Sequence, residues 1–114
     1  MADHAALVVL STFGDADTAA RVARTLVEES LVACVNIIPT VRSIYRWQGA
    51  ISDDPEALAI IKTTTDRYPA LAARIAELHP YQVPKILALP IAAGHPPYLA
   101  WLTGEVSGQP PSAP

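Results

Sequence analysis

Two long strand-like segments occupy the middle of this chain and are separated by Gln48-Gly49; the first is mostly apolar and the second contains the apolar block Ala57–Ile61. The first runs from Ala33 to Trp47 and the second from Ile51 to Thr65. At ~3.3 Å per residue each arm of such a hairpin reaches roughly 45 Å, whereas the preceding helix, about 15 residues long, spans only ~23 Å. Much of the hairpin must therefore project beyond its own domain. Because projecting apolar strands aggregate unless another chain covers them, the sequence predicts an oligomer formed through the hairpin.

The remaining segments predict helices packed on a sheet that contains the hairpin. In chain order they are a buried strand over Ala5–Phe13, a helix that begins at Asp15 or Asp17 and ends near Ser30, a helix capped by Asp66 and stopped by His79-Pro80, a strand over Ile86–Ile91, and a helix over Tyr98–Glu105 started by Pro96-Pro97. The order βαββαβ plus a helix predicts an α+β, ferredoxin-like fold with an extended central hairpin, a short C-terminal helix, and helices on one face of an antiparallel sheet. We expect residues 1–106 to form this single domain and the Pro-rich tail 107–114 to be disordered.

Two prolines lie within predicted strands. Pro39 cannot donate a ladder hydrogen bond, so a bulge or bend is predicted there, and Pro90 places the last strand at a sheet edge or bulge. Within the first arm of the hairpin, a single face is predicted to carry Val35, Ile37, Val41, Tyr45 and Trp47.

Composition excludes several classes of protein. The formal net charge is −3 and no Lys/Arg run occurs, so a nucleic-acid partner is not expected. No apolar stretch approaches the ~20 residues that span a bilayer, and the start Met1-Ala2-Asp3-His4 lacks the basic region of a signal peptide. The single cysteine, Cys34, excludes an intrachain disulfide and favours a reducing cytoplasm. No nucleophile-elbow, P-loop, dinucleotide-binding or HExxH motif is present, so we expect a protein that is not an enzyme.

Five short segments together resemble one known family. They are Ala33-Cys34-Val35-Asn36, Tyr45-Arg46-Trp47-Gln48-Gly49, Ile61-Lys62-Thr63-Thr64, His79-Pro80-Tyr81-Gln82-Val83-Pro84 and Tyr98-Leu99-Ala100-Trp101. Their order and spacing resemble the CutA divalent-cation-tolerance family from about residue 7 to residue 106. The resemblance implies a ferredoxin-like fold and a tight homotrimer, similar in outline to the PII nitrogen-signalling proteins, whose hairpins pair edge to edge between subunits. It also implies a link to tolerance of copper and other divalent cations, without an assigned catalytic activity.

The candidate metal ligands are His79 and Cys34. A neutral imidazole suits copper or zinc, and the resemblance places the segment around His79 at a cleft between subunits. The alternative is a histidine that ends a helix and hydrogen-bonds locally. A Cys34 thiolate suits Cu(I), although a cysteine in an apolar strand is most often a small buried hydrophobe. Where some relatives have a ligating cysteine this chain has Ser11-Thr12, and where many have a glutamate it has Lys85.

The other histidines and the acidic cluster are expected to be solvated side chains and not metal ligands. His4 and His95 form no paired ligand motif and are expected to be solvated. The cluster Asp53-Asp54-Glu56 follows the hairpin turn. Its carboxylates suit Mg²⁺ or Ca²⁺, but without EF-hand spacing a solvated acidic edge is favoured, which would also block unwanted strand pairing.

Lys62 lies within an apolar strand, where an ammonium must be paired or face a cleft. The aromatic residues predicted to surround it are Tyr45, Trp47, Tyr81 and Trp101. Such a cleft suits a small anionic or aromatic ligand as well as it suits a metal. The alternative is that these aromatic residues anchor the trimer interface.

Four functions compete as interpretations of this sequence. The leading one is a cytosolic homotrimer associated with divalent-cation tolerance, which binds copper or another divalent cation at clefts between subunits. The second is a PII-like sensor of a small anionic metabolite, in which metal binding is incidental. The third is an enzyme that uses a cleft histidine, and the fourth is an RNA-binding module, for which the aromatic signature and basic face are absent.

Overall fold

The computed structural model describes residues 5–106. Its elements follow the predicted order. They are β1 (Ala6–Phe13), α1 (Ala16–Glu28), β2 (Cys34–Trp47), β3 (Ala50–Thr64), α2 (Tyr68–Leu78), β4 (Leu87–Pro90) and α3 (Pro96–Glu105). The predicted Pro-rich tail and His4 lie outside the described residues.

The strands form one four-stranded sheet in the order β2-β3-β1-β4, and every neighbouring pair is antiparallel. Central strand β1 pairs with β3 on one side and with β4 on the other, so that Val8 lies opposite both Lys62 and Leu89. Pro90 ends β4 at the sheet edge, where its missing N–H leaves no ladder bond unmade. This is the predicted ferredoxin-like α+β fold.

The main core lies between one face of the sheet and the helices α1 and α2. Val9 and Ile61 point from the sheet into it, and Leu26 and Ile75 meet them from the helices. Each of these four side chains is at most 1% exposed. The core depends on strict alternation, because only the odd-numbered side chains of β1 and β3 face these helices.

Helix α3 packs elsewhere. Leu102 and Val106 form a second cluster with Ala33 and Ala6, and Ala6 is out of phase with Val9 along β1. Alternation therefore puts α3 against the sheet face that α1 and α2 leave open. The prediction that the helices share one face is correct for α1 and α2 and wrong for α3.

The helix ends follow local backbone chemistry. Asp15, not Asp17, caps α1, and its Oδ1 accepts a hydrogen bond from the Thr18 N–H at 2.7 Å. Ser30 adopts a left-handed φ of 58°, which ends this helix. The predicted Asp66 cap of α2 is wrong, because Arg67 occupies the cap position without a side-chain bond and a proline lies in the first turn. Asp66 instead accepts from the Thr64 hydroxyl at 2.5 Å.

The hairpin projects as predicted. β1 pairs only with residues 57–64 of β3, whereas residues 50–56 of β3 pair only with residues 41–47 of β2. We call this two-stranded part, residues 41–56, the distal ribbon, and neither of its outer edges is paired within residues 5–106. The molecule measures 49 × 30 × 22 Å with a radius of gyration of 15.0 Å, against about 13 Å for a compact chain of this size.

A bulge after Ile38 changes which face of the hairpin each residue of β2 occupies in the distal ribbon. Ile38 lies opposite Leu58 and Val41 lies opposite Glu56, so two residues of β2 face one residue of β3. The bulge predicted at Pro39 is therefore present. The prediction that one face carries the whole row from Val35 to Trp47 is wrong, because the extra residue moves Val41, Tyr45 and Trp47 to the face opposite Val35 and Ile37.

The sheet face opposite α1 and α2, which we call the open face, is apolar. Leu89 is 50% exposed there and Leu87 is 54% exposed, while Val8, Leu10 and Ile60 are partly buried. Within residues 5–106 no element other than α3 packs on this face. Exposed apolar surfaces of this kind are where proteins commonly contact other macromolecules.

Candidate functional site

A concave site lies at the base of the projecting hairpin, and we call it the hairpin-base pocket. Its cavity volume is about 680 Å³. It is bounded by the end of β1, the distal ribbon and the segment after α2. The lining residues are Thr12, Arg42, Ser43, Ile44, Tyr45, Trp47, Glu56, Tyr81, Gln82, Val83 and Lys85.

Tyr81 is fixed at both ends by hydrogen bonds. α2 ends at His79, and the backbone N–H of Tyr81 donates to His79 Nδ1 at 3.1 Å. The phenol donates to Glu56 Oε2 at 2.7 Å, which joins the segment after α2 to the hairpin. Burial, followed by this carboxylate, raises the pKa of Tyr81 far above its usual range, so the phenol stays a donor.

Tyr45 makes a similar bond to a carboxylate that lies closer to the hairpin turn than Glu56. Its phenol donates to Asp54 Oδ2 at 2.9 Å, and this bond is the main cause of a raised pKa of Tyr45. The ring is about two-fifths exposed, as is that of Trp47. Strand alternation puts both rings on the same face of the ribbon, the bulge decides which face that is, and both rings line the pocket.

The charged groups of the pocket differ in how they are compensated. Arg42 donates two hydrogen bonds to Asp53, at 2.8 and 2.7 Å, which raise the pKa of Arg42 and lower that of Asp53. Glu56 is 9% exposed and holds the Tyr81 hydroxyl. The Lys85 ammonium has no hydrogen bond or ion pair with any side chain among residues 5–106.

His79 is enclosed behind the pocket. It is 6% exposed, and its ring stacks on Phe13 with centroids 4.3 Å apart. Nε2 is 2.7 Å from the Thr12 carbonyl oxygen and must donate to it, which leaves Nδ1 to accept from the Tyr81 N–H. Burial lowers the pKa of His79, and the Thr12 carbonyl and Glu56 partly oppose that shift. The neutral ring thus has no nitrogen lone pair free for a metal unless the Tyr81 bond breaks.

Cys34 and Lys62 lie together on the open face, away from the pocket. They are directly opposite each other on β2 and β3, and Cys34 Sγ is 3.5 Å from the Tyr98 hydroxyl of α3. The Lys62 ammonium donates to Asn36 Oδ1, a neutral acceptor. Trp101 packs beside Tyr98 with ring centroids 5.5 Å apart.

Within one chain the predicted site residues therefore divide into two groups. Tyr45, Trp47 and Tyr81 line the hairpin-base pocket, whereas Lys62 and Trp101 do not. Cys34 on β2 lies level with Val8 on β1, and His79 contacts Thr12, four residues or about 13 Å further along β1. Because β2 and β1 are also separated by β3, Cys34 and His79 lie further apart than this length. The predicted cleft and the predicted metal ligands stay predictions.

The described residues offer no ready metal centre inside a single chain. Among residues 5–106, no three His, Cys, Asp or Glu side chains come together in a group able to hold a metal ion. His79 and Cys34 are far apart, and Lys85 is a cation. These donor sets do not fit a copper or zinc site built from one chain.

Sequence reasoning missed part of the site. The acidic cluster was expected to be a solvated edge, and Asp53 and Asp54 are exposed, with hydrogen bonds to Arg42 and Tyr45. Glu56 is instead buried under Tyr81. The available signal was the position of Glu56 directly before the apolar block 57–61. Thr12, Arg42 and Gln82 gave no signal of their own.

No helix among the described residues has the length and apolar character needed to cross a membrane.

Comparison with known proteins gives consistent findings. The family model described as CutA1 divalent ion tolerance protein matches residues 7–105. The divalent-cation tolerance protein CutA of Thermus thermophilus is 54% identical over 95 residues, which cover 83% of this chain and 92% of that protein. Protein CutA of Mus musculus is 48% identical over 84 residues, covering 74% of this chain but 48% of the mouse protein, so the chain spans about half of that relative.

Solved structures agree with the sequence matches. A structure of the divalent cation tolerance protein (Cut A1) from Thermus thermophilus superposes with a TM-score of 0.82 at 52% identity. The match covers 85% of this chain and 94% of that structure.

Proposed function

The chain belongs to the CutA1 divalent ion tolerance family, and from this premise we propose that it is a cytoplasmic, non-enzymatic homotrimer that acts in tolerance of divalent cations. The relatives are named as tolerance proteins, which supports a binding or signalling role. The single cysteine supports the cytoplasmic placement. Cell fractionation tests that placement: recovery in a membrane or secreted fraction contradicts it.

The observation that supports the trimer is that the distal ribbon, whose outer edges are unpaired within residues 5–106, occurs together with an open apolar face. The ribbon has two unpaired edges, and Leu87 and Leu89 are about half exposed on the face beside it. Both features expose backbone donors or apolar area that a further copy of the chain would cover. Three copies is the number that the family resemblance implies.

A matched pair of variants tests the trimer. Leu89→Glu puts a charge on the open face, and Val27→Glu puts the same charge on α1 at a similar exposure, 45% against 50%. Light scattering at micromolar concentration should give a trimer mass for the unchanged chain and for Val27→Glu, and a smaller mass for Leu89→Glu. A monomer mass for the unchanged chain would overturn the proposal.

Direct metal binding is proposed at clefts between subunits, with His79 and Cys34 as candidate ligands for copper or another divalent cation. One chain does not gather a complete ligand set among residues 5–106, so the remaining ligands would come from a second subunit. His79 would also have to release the Tyr81 N–H. Thermal stability should rise with Cu²⁺, Zn²⁺, Mg²⁺ or Ca²⁺, and less so in His79→Gln or Cys34→Ser. No rise with any of them up to about millimolar concentration contradicts direct binding.

The second candidate function is a PII-like sensor of a small anionic ligand. Two ammonium groups favour it: Lys62, whose acceptor is a neutral amide, and Lys85, which has no side-chain partner among the described residues. An ammonium beside apolar or aromatic surface is stabilised by an anion. Loss of anion-induced stabilisation in Lys62→Gln or Lys85→Gln, with the metal response kept, supports this function over the first.

A further inference from the structure

The hairpin-base pocket has the size and walls of a site for a small organic molecule. Its volume of about 680 Å³ lies within the range of roughly 300–1,000 Å³ found for ligand pockets. Tyr45, Trp47 and Tyr81 give it three aromatic walls. The Tyr45 and Tyr81 rings are held by carboxylates at their hydroxyl ends, so these two walls are formed before a ligand arrives.

The charged side chains that line the pocket differ in their partners. Arg42 is neutralised by Asp53 through two hydrogen bonds, whereas the Glu56 carboxylate accepts from the Tyr81 hydroxyl, which is a neutral donor. Among the charged lining residues that the structure describes, Lys85 is the one without a side-chain partner. The pocket is thus lined by exposed rings and by an ammonium that has no side-chain partner among residues 5–106.

A bound cation fits these groups less well. Glu56 is nearly buried, and one of its oxygens already holds the Tyr81 hydroxyl. Both nitrogens of His79 are occupied by Thr12 and by the Tyr81 backbone. Lys85 repels a further positive charge at the same mouth.

We infer that the hairpin-base pocket binds a small planar aromatic molecule that carries one acidic group, with the ring against Trp47 and Tyr45 and the acidic group against Lys85. Ring stacking supplies apolar burial, and the ammonium supplies a charge-assisted hydrogen bond that fixes orientation. This inference rests on the second proposed function, and it assigns that function's ligand class and places the ligand at Lys85 rather than at Lys62.

Three probes separate the ring from the charge. Isothermal titration calorimetry of the full chain would compare 2-naphthoate with 2-naphthamide, which lacks the charge, and with acetate, which lacks the ring. We expect 2-naphthoate to bind about tenfold or more tightly than either of the others. Absence of 2-naphthoate binding up to about millimolar concentration overturns the inference.

Matched variants then locate the site. Lys85→Gln should weaken 2-naphthoate binding about tenfold and leave 2-naphthamide unchanged, whereas Lys85→Arg should retain most of the affinity. Trp47→Leu should weaken both aromatic probes. Lys62→Gln, which removes an ammonium outside the pocket, should change neither.

The opposite pattern has a distinct meaning. If Lys62→Gln abolishes binding and Lys85→Gln does not, the pocket inference fails while the anion-sensing proposal stands. If Lys85→Gln instead changes the mass in light scattering, the pocket is an interface between copies of the chain and the inference fails. Neither result bears on the response to metal ions, which is measured separately.

Discussion

At the scale of single residues, His79 links three parts of the chain through one neutral ring. It stacks on Phe13, donates to the Thr12 carbonyl at the end of β1, and accepts from the Tyr81 N–H that begins the pocket wall. Protonation of the ring would place an N–H donor at Nδ1 directly opposite the Tyr81 N–H, which is also a donor. The ring that was predicted as a metal ligand is thus also a structural connector, as the alternative interpretation held.

The lowered pKa of His79 predicts an acid-labile fold. Above about pH 6.5 the imidazole is neutral in both the folded and unfolded chain, so its contribution to stability is constant. As the pH falls below about 6.5 the unfolded chain takes up a proton that the folded chain resists, and the free energy of unfolding decreases. Urea unfolding between about pH 7.5 and pH 5, at constant protein concentration, measures this.

Two histidine variants serve as controls for that measurement. His79→Gln should reduce the decrease, and His95→Gln, at an exposed position, should leave it as it is. The carboxyl groups with lowered pKa, such as Glu29 and Asp53, act only in a more acidic range, near pH 4 and below. Equal pH dependence in the unchanged chain and in His79→Gln would contradict the prediction.

Two buried hydroxyls on the same sheet face provide a matched test of hydrogen bonding. Thr63 Oγ1 donates to the Leu31 carbonyl at 2.8 Å, whereas Ser11 Oγ has no hydrogen-bond partner among the described residues. Thr63→Val should lower the free energy of unfolding by about 1–2 kcal/mol, and Ser11→Ala should raise it by about 1 kcal/mol. Denaturant unfolding measures both, and a loss of stability in Ser11→Ala would show that its hydroxyl has a partner.

At the scale of elements, the hairpin turn depends on two left-handed residues. Gln48 has a φ of 50° and Gly49 a φ of 80°, which matches the two-residue turn that suits twisted strands. A Cβ at Gly49 would meet no atom within 4 Å, so Gly49→Ala should cost about 1 kcal/mol through the backbone alone. Gln48→Asn should change stability in the opposite direction, because asparagine tolerates this conformation. Thermal unfolding compares the two, and equal shifts would contradict the turn assignment.

The predictability of each element depends on whether its determinants are local. The strands and their order along the chain follow from apolar runs, and neighbouring residues limited the cap of α1 to Asp15 or Asp17. The bulge was predicted from Pro39, but its effect on the faces of β2 depends on one extra residue whose register only the pairing with β3 reveals. Glu56 was misjudged because its partner Tyr81 lies 25 residues away, at a contact that only the fold creates.

At the scale of the whole molecule, the distal ribbon should gain stability from assembly. A two-stranded ribbon alone is marginally stable in water, and residues 41–56 pair with nothing else in the described part of the chain. Hydrogen exchange of ribbon amides should therefore be faster in Leu89→Glu than in the unchanged chain, while amides of β1 should keep their protection. Val27→Glu is the control. Equal ribbon exchange in a variant of reduced mass would contradict this coupling.

The two unpaired edges of the distal ribbon have a final consequence, for the number of copies in an assembly. A ribbon with two unpaired edges can form two contacts: its β2 edge can pair with one neighbouring copy and its β3 edge with another. Such head-to-tail contacts close into a ring when the rotation between neighbours divides a full turn, and otherwise continue into a filament. The bulge after Ile38 lies where this ribbon begins, and because bulges bend and twist a strand, we expect it to influence the rotation between neighbouring copies.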